Sequence, residues 1–197
     1  MNWADAIAIG PGLDRNENTV KAVKKILTLR KSKPVIIDAD AIYAIGKGEY
    51  KKYNLKNCVL TPHIAEFSQL LNIPVEKIKE DVLSYGKGFS VQTDSYLVLK
   101  GAPTIIFTPK GEALINSAGN PGMAKFGTGD VLTGMISSFI SQVKDIEQGV
   151  LLGVYLHSLA ADLLLEKKTE FGINASDIIH NIPEAIDFIR KSFIEFS

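Results

Sequence analysis

Short, uninterrupted apolar runs alternate along the chain with longer stretches whose apolar positions recur every three or four residues. The first run, Ala6-Ile7-Ala8-Ile9, stops at Gly10-Pro11-Gly12. A short apolar run bounded by turn residues reads as a buried strand feeding a tight loop. Over residues 19–30, Val20, Val23, Ile26, Leu27 and Leu29 fall close to helical spacing, with lysines on the other side. Pro34 breaks that pattern. Val35-Ile36-Ile37 then predicts a second strand ending in Asp38-Ala39-Asp40, followed by a short helix over residues 41–45 closed by Gly46 and Gly48. Cys58-Val59-Leu60 predicts a third strand, ending at Thr61-Pro62-His63, and residues 65–71 a helix. A second helical region spans residues 75–92, interrupted at Gly86 and Gly88. Tyr96-Leu97-Val98-Leu99 is the fourth strand and ends at Lys100-Gly101. Residues 104–107 and 113–115 flank Pro109-Lys110-Gly111, the spacing of a hairpin.

Beyond a polar, glycine-rich loop the pattern becomes helical and stays so. Val131, Leu132, Met135, Ile136, Phe139 and Ile140 line one helix face, and residues 151–165 are apolar almost all round, as in a buried helix. Ser176-Asp177 starts a further helical stretch, and Pro183 begins or kinks a last one. No internal repeat or linker is visible. Continuous apolar strands alternating with helices predict an α/β fold, a mostly parallel sheet with helices on both faces. The helical last third is expected on one of them. In such sheets ligands bind beyond the carboxyl ends of the strands. Gly10-Pro11-Gly12, Asp38 with Asp40, His63, and Lys100-Gly101 all stand there.

Composition narrows the picture. The 197 residues, 46% hydrophobic and 22% charged, suit one domain, or one domain plus a small appendage, with a substantial core, and residues 1–197 are read as a single, partial domain. Lys plus Arg and Asp plus Glu both number 22, so no basic excess points to nucleic acid. The densest basic run, residues 21–33, is the solvated side of a helix and its last turn. The single cysteine, Cys58, excludes an internal disulfide and favours a reducing compartment. It opens an apolar strand, so it reads as core rather than nucleophile. No apolar run is long enough for a membrane span, and the first residues lack a signal-peptide pattern. The cytoplasm is the expected location.

The candidate chemistry lies in the segment from Asn120 to Leu132. Gly127 and Gly129 lead into a helix that begins at or just before Asp130. Unpaired amides and the positive dipole end make such a start an anion site suited to phosphate. A carboxylate beside it can take a proton from a hydroxyl that accepts the phosphoryl group. The same position also reads as a simple helix cap. The loop is neither a Walker loop nor the dinucleotide fingerprint. His63 is a ligand-facing residue or a helix-entry residue bonded to backbone. His63 and Glu66 stand three apart, but no third ligand is evident for zinc. His157 lies in an apolar helix and reads as a core histidine, His180 as surface. Asp38 and Asp40, two apart on a strand end, are expected to share a face, with Asp40 as a possible cap of the next helix. Ser117 and Ser176 have no visible histidine partner, so a hydrolase triad has no support.

Asn120-Pro121-Gly122-Met123-Ala124 followed by Gly127-Thr128-Gly129-Asp130-Val131-Leu132 resembles the signature of the NAD(P)H-hydrate dehydratases, nicotinamide-nucleotide repair enzymes of ribokinase-like, three-layer fold. The resemblance continues at Ala8-Ile9-Gly10-Pro11-Gly12-Leu13, Asp38-Ala39-Asp40-Ala41, Leu60-Thr61-Pro62-His63 with Glu66, Leu99-Lys100-Gly101 with Thr104, and Tyr155-Leu156-His157 with Ala175-Ser176-Asp177. It implies phosphorylation of the hydroxyl of a hydrated NADH or NADPH by ATP or ADP, then elimination of phosphate to restore the dihydronicotinamide. On that resemblance Asp130 is the base, and the backbone of Gly127, Thr128 and Gly129 is the hole for the transferred phosphoryl. Gly12, His63 and Asp130 face the hydrate. Lys100, Gly101, Ala102, Pro103, Thr104 and Gly129 face the adenine nucleotide. Mg²⁺ is implied by the chemistry, with Glu66 and Asp38 as the carboxylates near it. A small-molecule hydroxymethyl kinase of the same fold and a catalytically silent nucleotide-binding subunit are the alternatives.

The chain also departs from the family pattern. The family domain begins well upstream of Gly10, so the resemblance implies that its first strands are missing here. An exposed sheet edge then predicts a homo-oligomer, or a partner chain that supplies those strands. Asp14 stands where the family often has glycine. Phe126-Gly127 replaces Gly-Gly, an exchange expected to let Phe126 narrow or cover the phosphate loop.

Overall fold

The computed structural model describes residues 3–194. Six strands, β1 (Ile7–Ile9), β2 (Val35–Ile37), β3 (Cys58–Leu60), β4 (Tyr96–Leu99), β5 (Ile105–Phe107) and β6 (Ala113–Ile115), form one sheet in sequential order. The pairs from β1 to β4 are parallel, while β4–β5 and β5–β6 are antiparallel. The chain therefore starts as a βα repeat and ends its sheet on the expected hairpin. Helices are α1 (Glu17–Leu29), α2 (Ala39–Ala44), α3 (Ile64–Leu71), α4 (Val75–Glu80), α5 (Val82–Thr93), α6 (Thr128–Val143), α7 (Ile146–Leu164) and α8 (Ala175–Ile194).

Strand alternation sends side chains to two cores. On one face Val35, Ile37, Cys58, Leu60, Leu97, Leu99 and Phe107 meet Val23 and Leu27 of α1, Ile42 of α2, Phe67 and Leu70 of α3, Ile78 of α4 and Phe89 of α5. On the other, Ile36, Val59, Val98 and Ile106 meet Leu132, Ile136 and Ile140 of α6 and Val150 and Val154 of α7. These residues are buried, and apolar burial of this kind is the main force holding the layers together. A third cluster lies outside the sheet, where α8 places Ile178 and Ala185 against Leu156, Leu159, Ala160 and Leu164 of α7. The layers are thus α1–α5, sheet, and α6–α7, with α8 laid on the last.

Three details differ from the sequence expectation. The helical region 75–92 is two helices parted at Asp81, not at the glycines. Asp81 ends α4 in a non-helical conformation and caps α5 through Ser84 N–H at 3.0 Å. Gly86 stays helical because the Phe107 ring rests on it, and a Cβ there would lie 2.3 Å from that ring. Pro183 does not begin a helix: it lies within α8. The packing of the α8 face on α7, with Asn181 Nδ2 donating to Ala160 O at 2.9 Å, outweighs the hydrogen bond that proline cannot make. Asp38 and Asp40 do not share a face either, because α2 begins at Ala39.

Candidate active site

The carboxyl ends of β1 to β4 open on the start of α6. Lys100 extends β4 by one residue: it bridges to His63, and its N–H donates to Pro62 O at 2.8 Å. Its ammonium lies 2.9 Å from Asp38 Oδ1 and 3.8 Å from Glu66 Oε2. Asp38 is buried at 1% exposure, and its other oxygen accepts the Thr133 hydroxyl at 2.8 Å. A carboxylate buried so deeply needs such partners, since an unpaired one would carry a large desolvation cost. The pair also reaches α6: a Cβ on Gly129 would lie 3.5 Å from Lys100 Nζ. A positive charge is therefore held against the backbone where that helix begins.

Gly127 caps α6 at φ 87, the left-handed region that glycine enters without steric penalty. The first in-helix bond runs from Val131 N–H to Gly127 O, so the amides of Gly129 and Asp130 precede the ladder. Thr128 is turned inward, its hydroxyl 2.8 Å from the carbonyls of Met123 and Lys125 to which it donates. Asp130 stands in the first turn and is exposed, and no side-chain cap bond forms at this helix start. Its carboxylate is thus not used as a cap. Asp130 and Gly127 line one end of a groove of about 630 Å³ between α6 and α8, whose walls include Met135, Phe139, Ile179 and Ile182.

The loop before α6 is braced from α7. Asp162 accepts Gly119 N–H at 2.7 Å and Asn120 Nδ2 at 2.9 Å, and Asn120 Oδ1 accepts Gly122 N–H at 3.0 Å. Ser158 and Ala118 O hold Asn116 Nδ2, each at 2.9 Å. His157, buried in α7, has its pKa pushed down to about 4 by desolvation and so is neutral. It is a core residue, as its apolar helix implied, and His180 is exposed. Cys58 is wholly buried, and desolvation pushes its thiol up to about 11, which leaves no thiolate to react.

His63 is the N-cap of α3. Its Nδ1 accepts Ala65 and Glu66 N–H at 3.2 Å, while Glu66 Oε2 accepts His63 N–H at 2.9 Å. This reciprocal box is the helix-entry alternative, and the three-residue spacing from His63 to Glu66 was its sequence signal. His63 Nε2 remains on the open side, 3.6 Å from Glu66 Oε2. Asp40 holds the loop after β1: Asp14 N–H donates to it at 3.0 Å and Arg15 Nε at 2.8 Å. Asp14 adopts φ 66, and Gly12 in the same loop has the same φ with nothing within 4 Å of a Cβ. Asp is among the few residues that tolerate this backbone, which explains how it replaces a glycine. Phe126 is fully exposed and does not cover the phosphate loop.

Residues 101–104 form an exposed to half-buried turn directly after Lys100, with a cis Ala102–Pro103 peptide and the Thr104 hydroxyl donating to Gly101 O at 3.3 Å. The structure thus brings Asp38, Glu66, Lys100 and Gly129 together. It puts Gly12 on a neighbouring loop without direct contact to them. Thr133, Asp162 and Lys125 were not visible in sequence as parts of the site.

Among the described residues no three His, Cys, Asp or Glu side chains group to hold a metal. Mg²⁺ commonly uses only one or two carboxylates besides phosphate oxygens and water. Both oxygens of Asp38 are occupied by Lys100 and Thr133. Glu66 has one oxygen, Oε2, engaged at the cap, and its Oε1 takes no hydrogen bond among the described residues. A single carboxylate beside Lys100 and the glycine-led start of α6 fits that ion.

Comparison with known proteins places the chain in a family. Residues 1–184 match the sequence pattern of the family described as NAD(P)H-hydrate dehydratase. The ADP-dependent (S)-NAD(P)H-hydrate dehydratase of Bacillus subtilis is 37% identical over 178 residues, which are 90% of this chain and 62% of that protein. The crystal structure of the ADP/ATP-dependent NAD(P)H-hydrate dehydratase from Bacillus subtilis, co-crystallised with ATP and Mg²⁺, superposes with a TM-score of 0.81 at 32% identity, covering 95% of this chain and 66% of that one. A ribokinase-like superfamily protein from Enterococcus faecalis superposes with a TM-score of 0.82 at 33% identity, covering 93% and 63%. The sheet with helices on both faces is therefore a ribokinase-like fold. This chain spans 34% to 63% of the length of the curated relatives it matches.

Proposed function

The chain belongs to the NAD(P)H-hydrate dehydratase family, and from that membership and the site we propose that it is a hydro-lyase that returns (S)-NADH or (S)-NADPH hydrate to the reduced dinucleotide at the expense of ADP or ATP. The observation that carries the reading is Asp130: an exposed carboxylate, free of capping duty, at the first turn of a glycine-led helix whose Gly129 lies against the Lys100 ammonium.

In this reading the amides of Gly127 and Gly129, together with Lys100, receive the transferred phosphoryl group, while Thr128 N–H donates to Lys125 O at 3.4 Å and braces the loop, and Asp130 takes the proton of the ring hydroxyl as that oxygen bonds to phosphorus. The nucleotide leaves with the bridging oxygen. Loss of phosphate and of the neighbouring ring proton then restores the double bond. Residues 101–104 carry the adenine nucleotide, and Gly12 and His63 Nε2 border the hydrate. Mg²⁺, when bound, neutralises charge on the phosphates, and Glu66 is the side chain we assign to it. Asp38 keeps Lys100 in place. One ribokinase-like domain performs the reaction, in the cytoplasm. β1, paired on one side only among the described residues, is the edge along which we expect a second copy or a partner chain.

The test is to incubate the protein with NADH hydrate and ADP or ATP. Expected are recovery of NADH absorbance and one phosphate released per NADH formed. A stable phosphorylated product without recovery favours a small-molecule kinase, and no turnover with either nucleotide favours a silent nucleotide-binding subunit.

A further inference from the structure

Lys125 lies two residues before Gly127, and its side chain turns away from the cradle. Its ammonium sits among three backbone carbonyls of another segment: Glu170 O at 3.0 Å, Phe171 O at 2.6 Å and Ile173 O at 2.6 Å. An ammonium has three donors, and all three are engaged here. The partners are carbonyl dipoles, not carboxylates. Three oxygens aimed at one point repel one another unless a positive charge stands between them, so turn 170–173 and the charge of Lys125 depend on each other.

The other end of the same residue touches the cradle. Lys125 N–H donates to Met123 O at 2.8 Å, and Lys125 O accepts the Thr128 hydroxyl at 2.8 Å. The two segments also press together on either side of it. A Cβ on Gly122 would lie 2.9 Å from Glu170 O, and one on Gly127 would lie 3.2 Å from Ala175 Cβ. One residue therefore joins the first turn of α6 to a segment 45 to 48 positions away.

We propose that Lys125 is a positioning residue whose ammonium acts as a built-in monovalent cation, clamping the carbonyls of 170–173 to the loop 120–129 so that the amides of Gly127 and Gly129 stay aimed at the phosphoryl group. The inference rests on the assignment of that loop as the phosphoryl cradle. Lys125 touches no reacting atom. Its removal by Lys125→Ala leaves a carbonyl-lined hole with the size and charge preference of a small desolvated monocation, since carbonyl rings can replace such an ion's hydration shell.

The experiment uses the full chain and chemical rescue. Wild type, K125A and K125M are melted and assayed in ammonium, potassium or tetramethylammonium chloride at equal ionic strength. Wild type should melt at the same temperature in all three. K125A should melt several degrees lower in tetramethylammonium and regain much of the loss, saturably, in ammonium or potassium. Its kcat should fall by about tenfold or more and recover in the same salts, because small displacements of a binding group cost large factors in rate. K125M, whose stem fills the hole, should lose kcat without rescue by any of the salts. K125A indistinguishable from wild type in tetramethylammonium, or deaf to ammonium, would overturn the proposal. Should K125A not fold, K125M with wild-type kcat would overturn it just as well. The melting arm needs no turnover, so an inactive wild type would count against the dehydratase reading and leave the clamp to be judged by heat.

Discussion

Asp38 shows how much one side chain in this site depends on residues far away in the chain. It is tied to Lys100 across 62 positions and to Thr133 across 95. The sequence marked Asp38 as a strand-end carboxylate, but nothing local connects it to a threonine inside a later helix. Replacing Thr133 by valine keeps the shape and leaves one oxygen of a buried carboxylate without a donor. We expect a loss of about 2 kcal/mol, read as a lower urea midpoint, because an unsatisfied buried acceptor costs its desolvation. We also expect a raised KM for the nucleotide as Lys100 loosens. His157 gives a pH signature. Its pKa is lowered from 6.5 to about 4 in the fold, so the unfolded chain binds a proton that the folded one refuses. Stability should be fully present above pH 6.5, decline as pH falls toward 4, and level off below. The linked loss is about 3 kcal/mol. His157→Gln should flatten that segment of the stability–pH curve, and an unchanged slope would remove His157 as its source. In His63 the cap uses only Nδ1, which leaves Nε2 for the contact with the hydrate that we propose.

At the scale of elements, the apolar runs located all six strands, because buried strands declare themselves as short continuous segments. Helix limits were less legible. The break falls at Asp81, whose side chain caps α5, while the passage through Gly86 and Pro183 is set by what packs there, namely Phe107 and α7. The contact between α6 and α7 rests on small residues that periodicity does not single out. A Cβ on Gly149 would lie 2.5 Å from Ile140 Cγ1 and 2.6 Å from its backbone nitrogen. Gly149→Ala should therefore push the two helices apart despite alanine's better helix propensity. We expect destabilisation of about 1–3 kcal/mol by overpacking. A thermal melt unchanged or raised by that substitution would contradict the close approach.

Over the whole molecule, the polar ends of β1 to β4 face the start of α6, and the glycine-rich loop supplies the fifth side of the site. Motif order along the chain made this grouping readable, since those at Gly10, Asp38, His63 and Lys100 follow the ends of β1 to β4. The supports behind it were not readable: Asp162 under Asn120, Thr133 under Asp38, and Lys125 under residues 170–173 are long-range contacts without a local pattern. The sheet's β1 edge, open on one side, predicts association, and light scattering of the full chain should report a mass above 21.5 kDa. A clean monomer at micromolar concentration would speak against it. The account as a whole turns on Asp130. The most direct measurement is the rate of NADH recovery from its hydrate with ADP or ATP, for wild type and for D130N, alongside nucleotide binding by both. The account predicts that D130N binds nucleotide as wild type does while its rate drops by about two to four orders of magnitude. Recovery at the wild-type rate in D130N would contradict it.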